Sequence, residues 1–235
     1  MTTLAISNLM GPKPRSTFTL RAVTVGTLSG SATIEHRSKK LGNKTDFALL
    51  NALRGWATAV LVGAQTVRSE NYFGVRKGPN GDDPAPMVVP TRKLDFDTTT
   101  QFFTNFYTPP IFLVPQSNLE ESTVQGRIPS ITSTGAEVIS SGYGTIKECL
   151  NILRNRGFKR VLCEGGPGMI GQLVDADAID QMYLTLDPHL STGVETPMAT
   201  FKGEHSHRRM QLENVAADTD GTVFLRYSRT REDVD

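Results

Sequence analysis

The sequence predicts an α/β fold: a mostly parallel mixed sheet flanked by helices, with an antiparallel edge toward the C-terminus. Three observations lead there. Short runs of strand length alternate with stretches of helical periodicity as far as about residue 180. Several of those runs, Ala59–Gly63 and Arg160–Cys163 among them, are apolar almost throughout, as strands covered on both faces are. Beyond residue 180 the chain turns strand-rich, which suits an antiparallel margin.

Residues 1–16 carry Pro12 and Pro14 and read as an N-terminal arm. Residues 17–235 read as a single domain, because no linker long enough to divide them is present. Phe18–Val25 alternates large and small residues and predicts a strand. Gly26–Leu41, rich in Gly, Ser and charge, predicts a long loop with a short extended piece. A helix follows, capped by Asn43 or Thr45, with Phe47, Leu50, Leu53 and Ala57 on its apolar stripe. Ala59–Gly63, Met87–Val89, Ile111–Val114 and Ala136–Ile139 are the next strands, and Gly74–Pro86 is a surface loop. Thr145 and Glu148 have capping-box spacing ahead of the stripe Ile146, Leu150 and Leu153, and Gly157 can end that helix in a left-handed conformation. Arg160–Cys163 is a strand, Gly166–Val174 a helix, and Gln181–Leu186 and Thr222–Tyr227 the last strands.

The chain has 235 residues, with 25 basic against 24 acidic side chains and a formal net charge of +1, so it lacks the broad basic field of a non-specific nucleic-acid binder. No apolar stretch reaches bilayer-spanning length. Cys149 and Cys163 cannot build a disulfide framework and read as buried free thiols. The histidines His36, His189, His205 and His207 show no zinc-site spacing, and no metal is expected. A basic leader followed by an apolar run is missing at the start, and a cytoplasmic protein is expected.

Four segments offer chemistry. Cys163-Glu164-Gly165-Gly166-Pro167-Gly168 follows a buried strand and opens a helix, so bare backbone and free N–H groups can meet a phosphate, or the glycines simply make a tight turn. Glu164 lies at the strand's carboxyl end, where open α/β sheets place ligands; its plainer role is capping the next helix. In Gly63–Glu70, Thr66 either caps a helix or meets a cofactor phosphate or ribose. Thr91, Arg92 and Lys93 follow a strand and suit a phosphate monoester, or form an ordinary solvated cluster. Ser38, Lys39, Lys40, Arg54 and Arg76 are a scatter of hydroxyl and cations in which Arg54 snorkels or, like Arg76, meets an anionic substrate. Neither a GxGxxG fingerprint nor a nucleophile elbow is present.

Together these segments resemble the reductase domain of the riboflavin-biosynthesis deaminase/reductase family, which shares the fold of dihydrofolate reductase. The resemblance runs from about Thr17 and is carried most specifically by Leu53–Glu70 and Val161–Pro188; Tyr72–Arg76 points to the stand-alone actinobacterial type. It implies NADPH as cofactor, held by Thr24, Lys40, Thr66, Glu70 and the run Gly165, Gly166, Pro167, Gly168, Met169, Ile170 and Gly171, with Thr91 and Arg92 at the adenosine 2′-phosphate. It implies Ser38, Arg54, Arg76 and Glu164 at the substrate, Glu164 as the residue tied to catalysis, and a homodimer. The implied reaction is hydride transfer to C1 of the ribosyl group of a phosphorylated aminopyrimidine, through its ring-opened imine. One departure matters: the family's Ser-Leu-Asp-Gly followed by a basic residue is here Thr27-Leu28-Ser29-Gly30-Ser31. Two alternatives therefore stand beside a pyrimidine reductase: a same-fold reductase of a dihydropterin or dihydrofolate, and a non-catalytic nucleotide-binding relative. The zinc-deaminase signature is absent.

Overall fold

The computed structural model describes residues 4–12, 18–69, 72, 74–75, 83–204 and 206–230. They form two compact units: Met1–Leu53 with Pro167–Asp235, and Arg54–Gly166.

The first unit opens with α1 (Ile6–Met10), β1 (Thr19–Thr27), a 3-10 turn (Ser38–Lys40) and α2 (Lys44–Trp56), whose last turn belongs to the second unit. The second unit continues through β2 (Ala59–Leu61), α3 (Ala64–Ser69), β3 (Met87–Pro90), α4 (Gln101–Thr104), β4 (Ile111–Val114), α5 (Gln116–Leu119), α6 (Ser122–Gln125), α7 (Ile128–Thr132), β5 (Glu137–Ser140), α8 (Ile146–Asn155) and β6 (Arg160–Cys163). The chain then completes the first unit with α9 (Pro167–Asp175), β7 (Gln181–Asp187), β8 (Met210–Ala217) and β9 (Val223–Arg229).

The second unit's strands pair in the order β5-β4-β3-β2-β6, all parallel. β2 and β4 are buried along their whole length, which explains their unbroken apolar text. Phe96, Phe102, Phe103 and Phe112 cluster there, Phe103 and Phe112 stacked with ring centroids 5.8 Å apart. In α8 the capping box forms as expected: the Glu148 N–H donates to Thr145 Oγ1 and the Glu148 carboxylate takes the Thr145 N–H. Gly157, at φ +83°, ends the helix, and the Phe158 N–H reaches back to Leu153 O at 3.0 Å.

In the first unit β1 and β7 are parallel, while β7–β9 and β9–β8 are antiparallel. The antiparallel C-terminal edge is thus present. β8 completes it, a strand that the residue pattern did not single out: most of Met210–Ala217 is exposed, so no apolar run marks it. Asn43 caps α2 through its Oδ1 and the Asp46 N–H, 3.0 Å apart. Within the N-terminal segment, the last carbonyls of the five-residue α1 are taken up by side chains: Arg226 Nη1 donates to Asn8 O (3.0 Å) and Leu9 O (2.7 Å), and the Tyr183 hydroxyl to Met10 O (2.7 Å). Arg21 Nη2 donates to Pro12 O at 3.1 Å, so buried arginines hold this segment to the sheet.

Candidate active site

In the second unit β6 delivers Glu164 just past its carboxyl end, and the last turn of α2 delivers Arg54. Their side chains are 3% and 8% exposed. Arg54 Nε donates to Glu164 Oε1 at 2.6 Å and Nη2 to Oε2 at 2.7 Å, a two-pronged contact that suits the planar guanidinium. Tyr72 adds a third donor, its hydroxyl bonding Glu164 Oε2, with the Arg54 guanidinium 5.6 Å from its ring centre. Burial alone would lower the Arg54 pKa, but the Glu164 charge and hydrogen bonds outweigh it and hold it above its ordinary value. The Tyr72 phenol is pushed well up, first by burial and then by the neighbouring carboxylate. The trio is a fixed, desolvated charge pair with a neutral hydroxyl donor. Arg54 does not snorkel to solvent, and the Glu164 side chain pairs with Arg54 and Tyr72.

Beside it the backbone is bare. Gly165, at φ +86°, and Gly166 are joined by a cis peptide bond and face the start of α3. The Gly63 N–H donates to Gly165 O at 2.8 Å, and the Gly166 N–H to Thr66 Oγ1 at 3.0 Å. A Cβ on Gly166 would lie 2.7 Å from Thr66 Oγ1, and one on Gly63 3.3 Å from Gly166 N. Thr66 lies inside α3 and is not its cap, so its hydroxyl serves the glycine turn instead. Backbone free of side chains is what the close approach of a phosphate requires. Thr91, buried just beyond β3, donates its N–H to Leu113 O at 2.9 Å, and Arg92 beside it is exposed.

In the first unit Thr24 lies half-buried within β1, and Ser38 opens the 3-10 turn that ends with Lys40, which pairs with Glu35. Pro167 begins α9, and Met169, Ile170 and Gly171 are buried in it. Ser29 bonds Thr27 Oγ1 (3.1 Å) and Ser191 Oγ (2.7 Å), so the departure from the family text is occupied by a chain of hydroxyls. Glu70 and Arg76 lie outside the described residues.

No motif in the sequence marks Tyr72, Asp46, Asp187 or His189 as a site residue. Asp46, in the first turn of α2, accepts the Thr185 hydroxyl at 2.6 Å. Burial holds its carboxyl above the ordinary value, and the charge of Asp187 adds to this. Asp187 in turn accepts the ring Nδ1 of His189. Each contact joins residues distant in sequence or mixed in chemistry, so no local motif announced it. Burial pushes Cys149 up to about 11 and Cys163 up to about 12, leaving both as unreactive thiols. Among the described residues no group of three or more His, Cys, Asp or Glu is placed to hold a metal ion, and no helix is long and apolar enough to cross a membrane.

Residues 19–224 match the RibD C-terminal domain. A pyrimidine reductase-like protein from Corynebacterium diphtheriae is 27% identical, with a TM-score of 0.85 over 97% of this chain and 99% of that one. RibD from Acinetobacter baumannii is 18% identical, with a TM-score of 0.72 over 91% of this chain and 58% of that one. Dihydrofolate reductase from Enterococcus faecalis is 14% identical, with a TM-score of 0.52 over 91% of this chain and 97% of that one. At those identities the last two matches show a shared fold.

Proposed function

Because the chain belongs to the RibD C-terminal domain family, we propose that it is an NADPH-dependent reductase of a phosphorylated ribosylaminopyrimidine in riboflavin biosynthesis, of the 5-amino-6-(5-phosphoribosylamino)uracil type. The observation that carries this reading is the buried Glu164, clamped by Arg54 and Tyr72 at the end of β6 and followed directly by the bare Gly165–Gly166 turn. When bound, NADPH supplies a hydride to C1 of the ring-opened imine. In the second unit Thr66, Gly165 and Gly166 take cofactor phosphate, and Thr91 with Arg92 takes the 2′-phosphate. Glu164 holds the substrate and favours a cationic imine. Arg54 directs Nε and Nη2 at Glu164, and its role is to hold that carboxylate in place. In the first unit the cofactor contacts are Thr24, Lys40 and the run Pro167–Gly171, and the substrate contact is Ser38. Glu70 keeps a cofactor role and Arg76 a substrate role. The protein works in the cytoplasm as a homodimer, and the exposed Leu212 and Val215 on the edge strand β8 supply apolar surface for association.

Ser29, where the family carries a carboxylate, favours a second reading in which the same fold reduces a dihydropterin or dihydrofolate, or binds a nucleotide without turnover. NADPH oxidation followed by absorbance with the phosphoribosylaminouracil and with dihydrofolate, each separately, tests the assignment. Turnover with the pyrimidine is expected. Turnover with dihydrofolate alone supports the second reading, and tight NADPH binding without turnover supports a binding protein.

A further inference from the structure

Reduction of a C=N bond consumes a proton as well as a hydride, and the first unit holds a pair built to deliver one. β1 and β7 run parallel with Thr27 opposite Asp187, so their carboxyl ends lie side by side. That is the end at which open α/β sheets bind ligands. The Asp187 side chain is 5% exposed. Its Oδ2 accepts the Gly42 N–H at 2.8 Å, while Oδ1 accepts the backbone N–H of His189 at 3.2 Å and meets the ring Nδ1. The His189 side chain is 62% exposed, and its carbonyl is fixed by the Leu28 N–H at 2.9 Å. A buried carboxylate bonded to Nδ1 takes that nitrogen's proton in its hydrogen bond. It fixes the proton of the neutral ring on Nδ1 and leaves Nε2, on the other edge of a largely exposed ring, as the atom that takes up a second proton and, from the imidazolium, gives it away.

Two neighbours tie the pair to the substrate position. Gly42, which holds Asp187, follows closely on the 3-10 turn that Ser38 opens, and Ser38 is the proposed substrate contact on this unit. Asp46 approaches the same face of β7 through Thr185, two residues before Asp187.

We propose that His189, oriented by Asp187, is the proton donor of the reduction; the inference rests on the pyrimidine-reductase reading. His189 Nε2 first gives its proton to the imine nitrogen, which makes the imine cationic. As hydride arrives, its electron pair becomes the new C1–H bond and the π pair of the C=N bond moves to nitrogen as a lone pair. The imidazolium becomes neutral imidazole and is reprotonated from water. His189 is thus a catalytic residue and Asp187 a positioning residue.

Because the ring is exposed, His189→Ala should retain the fold. Its kcat for the pyrimidine should fall about 100-fold, with KM and the Kd for NADPH within about twofold, a split that marks loss of a group acting only in the transition state. Added imidazole should restore the rate in proportion to its concentration, a rescue that a structural role would not show. Asp187→Asn should lower kcat by about tenfold with KM little changed, as expected when a histidine loses its orienting partner. Wild-type kcat in His189→Ala, or a loss that imidazole does not restore, in a protein that reduces the pyrimidine, overturns the proton-donor role and leaves the reductase reading standing. A wild-type chain that never oxidises NADPH with the pyrimidine overturns both.

Discussion

A buried carboxylate with two guanidinium N–H donors and a phenol on it is a constrained object, and Glu164 is the residue on which the chemistry turns. Glu164→Gln should depress pyrimidine reduction while NADPH affinity, measured by calorimetry, stays near wild type; retained activity would make Glu164 a structural residue. The same change leaves Arg54 buried beside a neutral amide and should cost about 3 kcal/mol in denaturant unfolding. Arg92→Ala should weaken NADPH more than NADH, since only the former carries the extra phosphate; equal losses would remove Arg92 from that site. Asp46 gives a pH test. Its folded carboxyl holds its proton above the ordinary value of 3.8, so its contribution is fully present below that value and is lost as pH rises through the raised one. Asp46→Asn should therefore gain stability relative to wild type as pH increases from about 4 to 7, read from paired denaturant curves. At this scale the sequence pointed to Glu164 and Arg54 by position in a motif. Tyr72 stayed unassigned because its contact with Glu164 spans 92 residues, and the Asp187–His189 pair because a short Asp-x-His spacing carries no signal of its own.

Elements were legible where one physical rule acted alone. The capping box of α8 needs only Thr145 and Glu148 at the right spacing, and it formed. Thr145→Ala should cost about 1 kcal/mol, measured by thermal or denaturant unfolding. The Glu148 carboxylate is held below its ordinary value by hydrogen bonds from Thr145 and Tyr143, so its contribution is present at neutral pH and fades as pH falls through the lowered value. Buried strands such as β4 showed themselves as unbroken apolar text. β8 did not, because a strand at the sheet margin with mostly exposed residues has little hydrophobic pattern to show. The short helices α4 to α7 each span only one turn or so, too brief for a 3.6-residue period to register.

For the whole molecule, the fold came through because strand–helix alternation and the closing antiparallel pairs are global consequences of where apolar residues fall. The identity of the substrate lies in a handful of side chains and is therefore the claim most in need of a direct test. Incubating the protein with the phosphoribosylaminouracil and NADPH deuterated at the transferable position, then locating the label by NMR, addresses it. The account predicts one deuterium at C1 of a ribityl chain; an unlabelled pyrimidine alongside deuterated tetrahydrofolate, when dihydrofolate is supplied too, would contradict it.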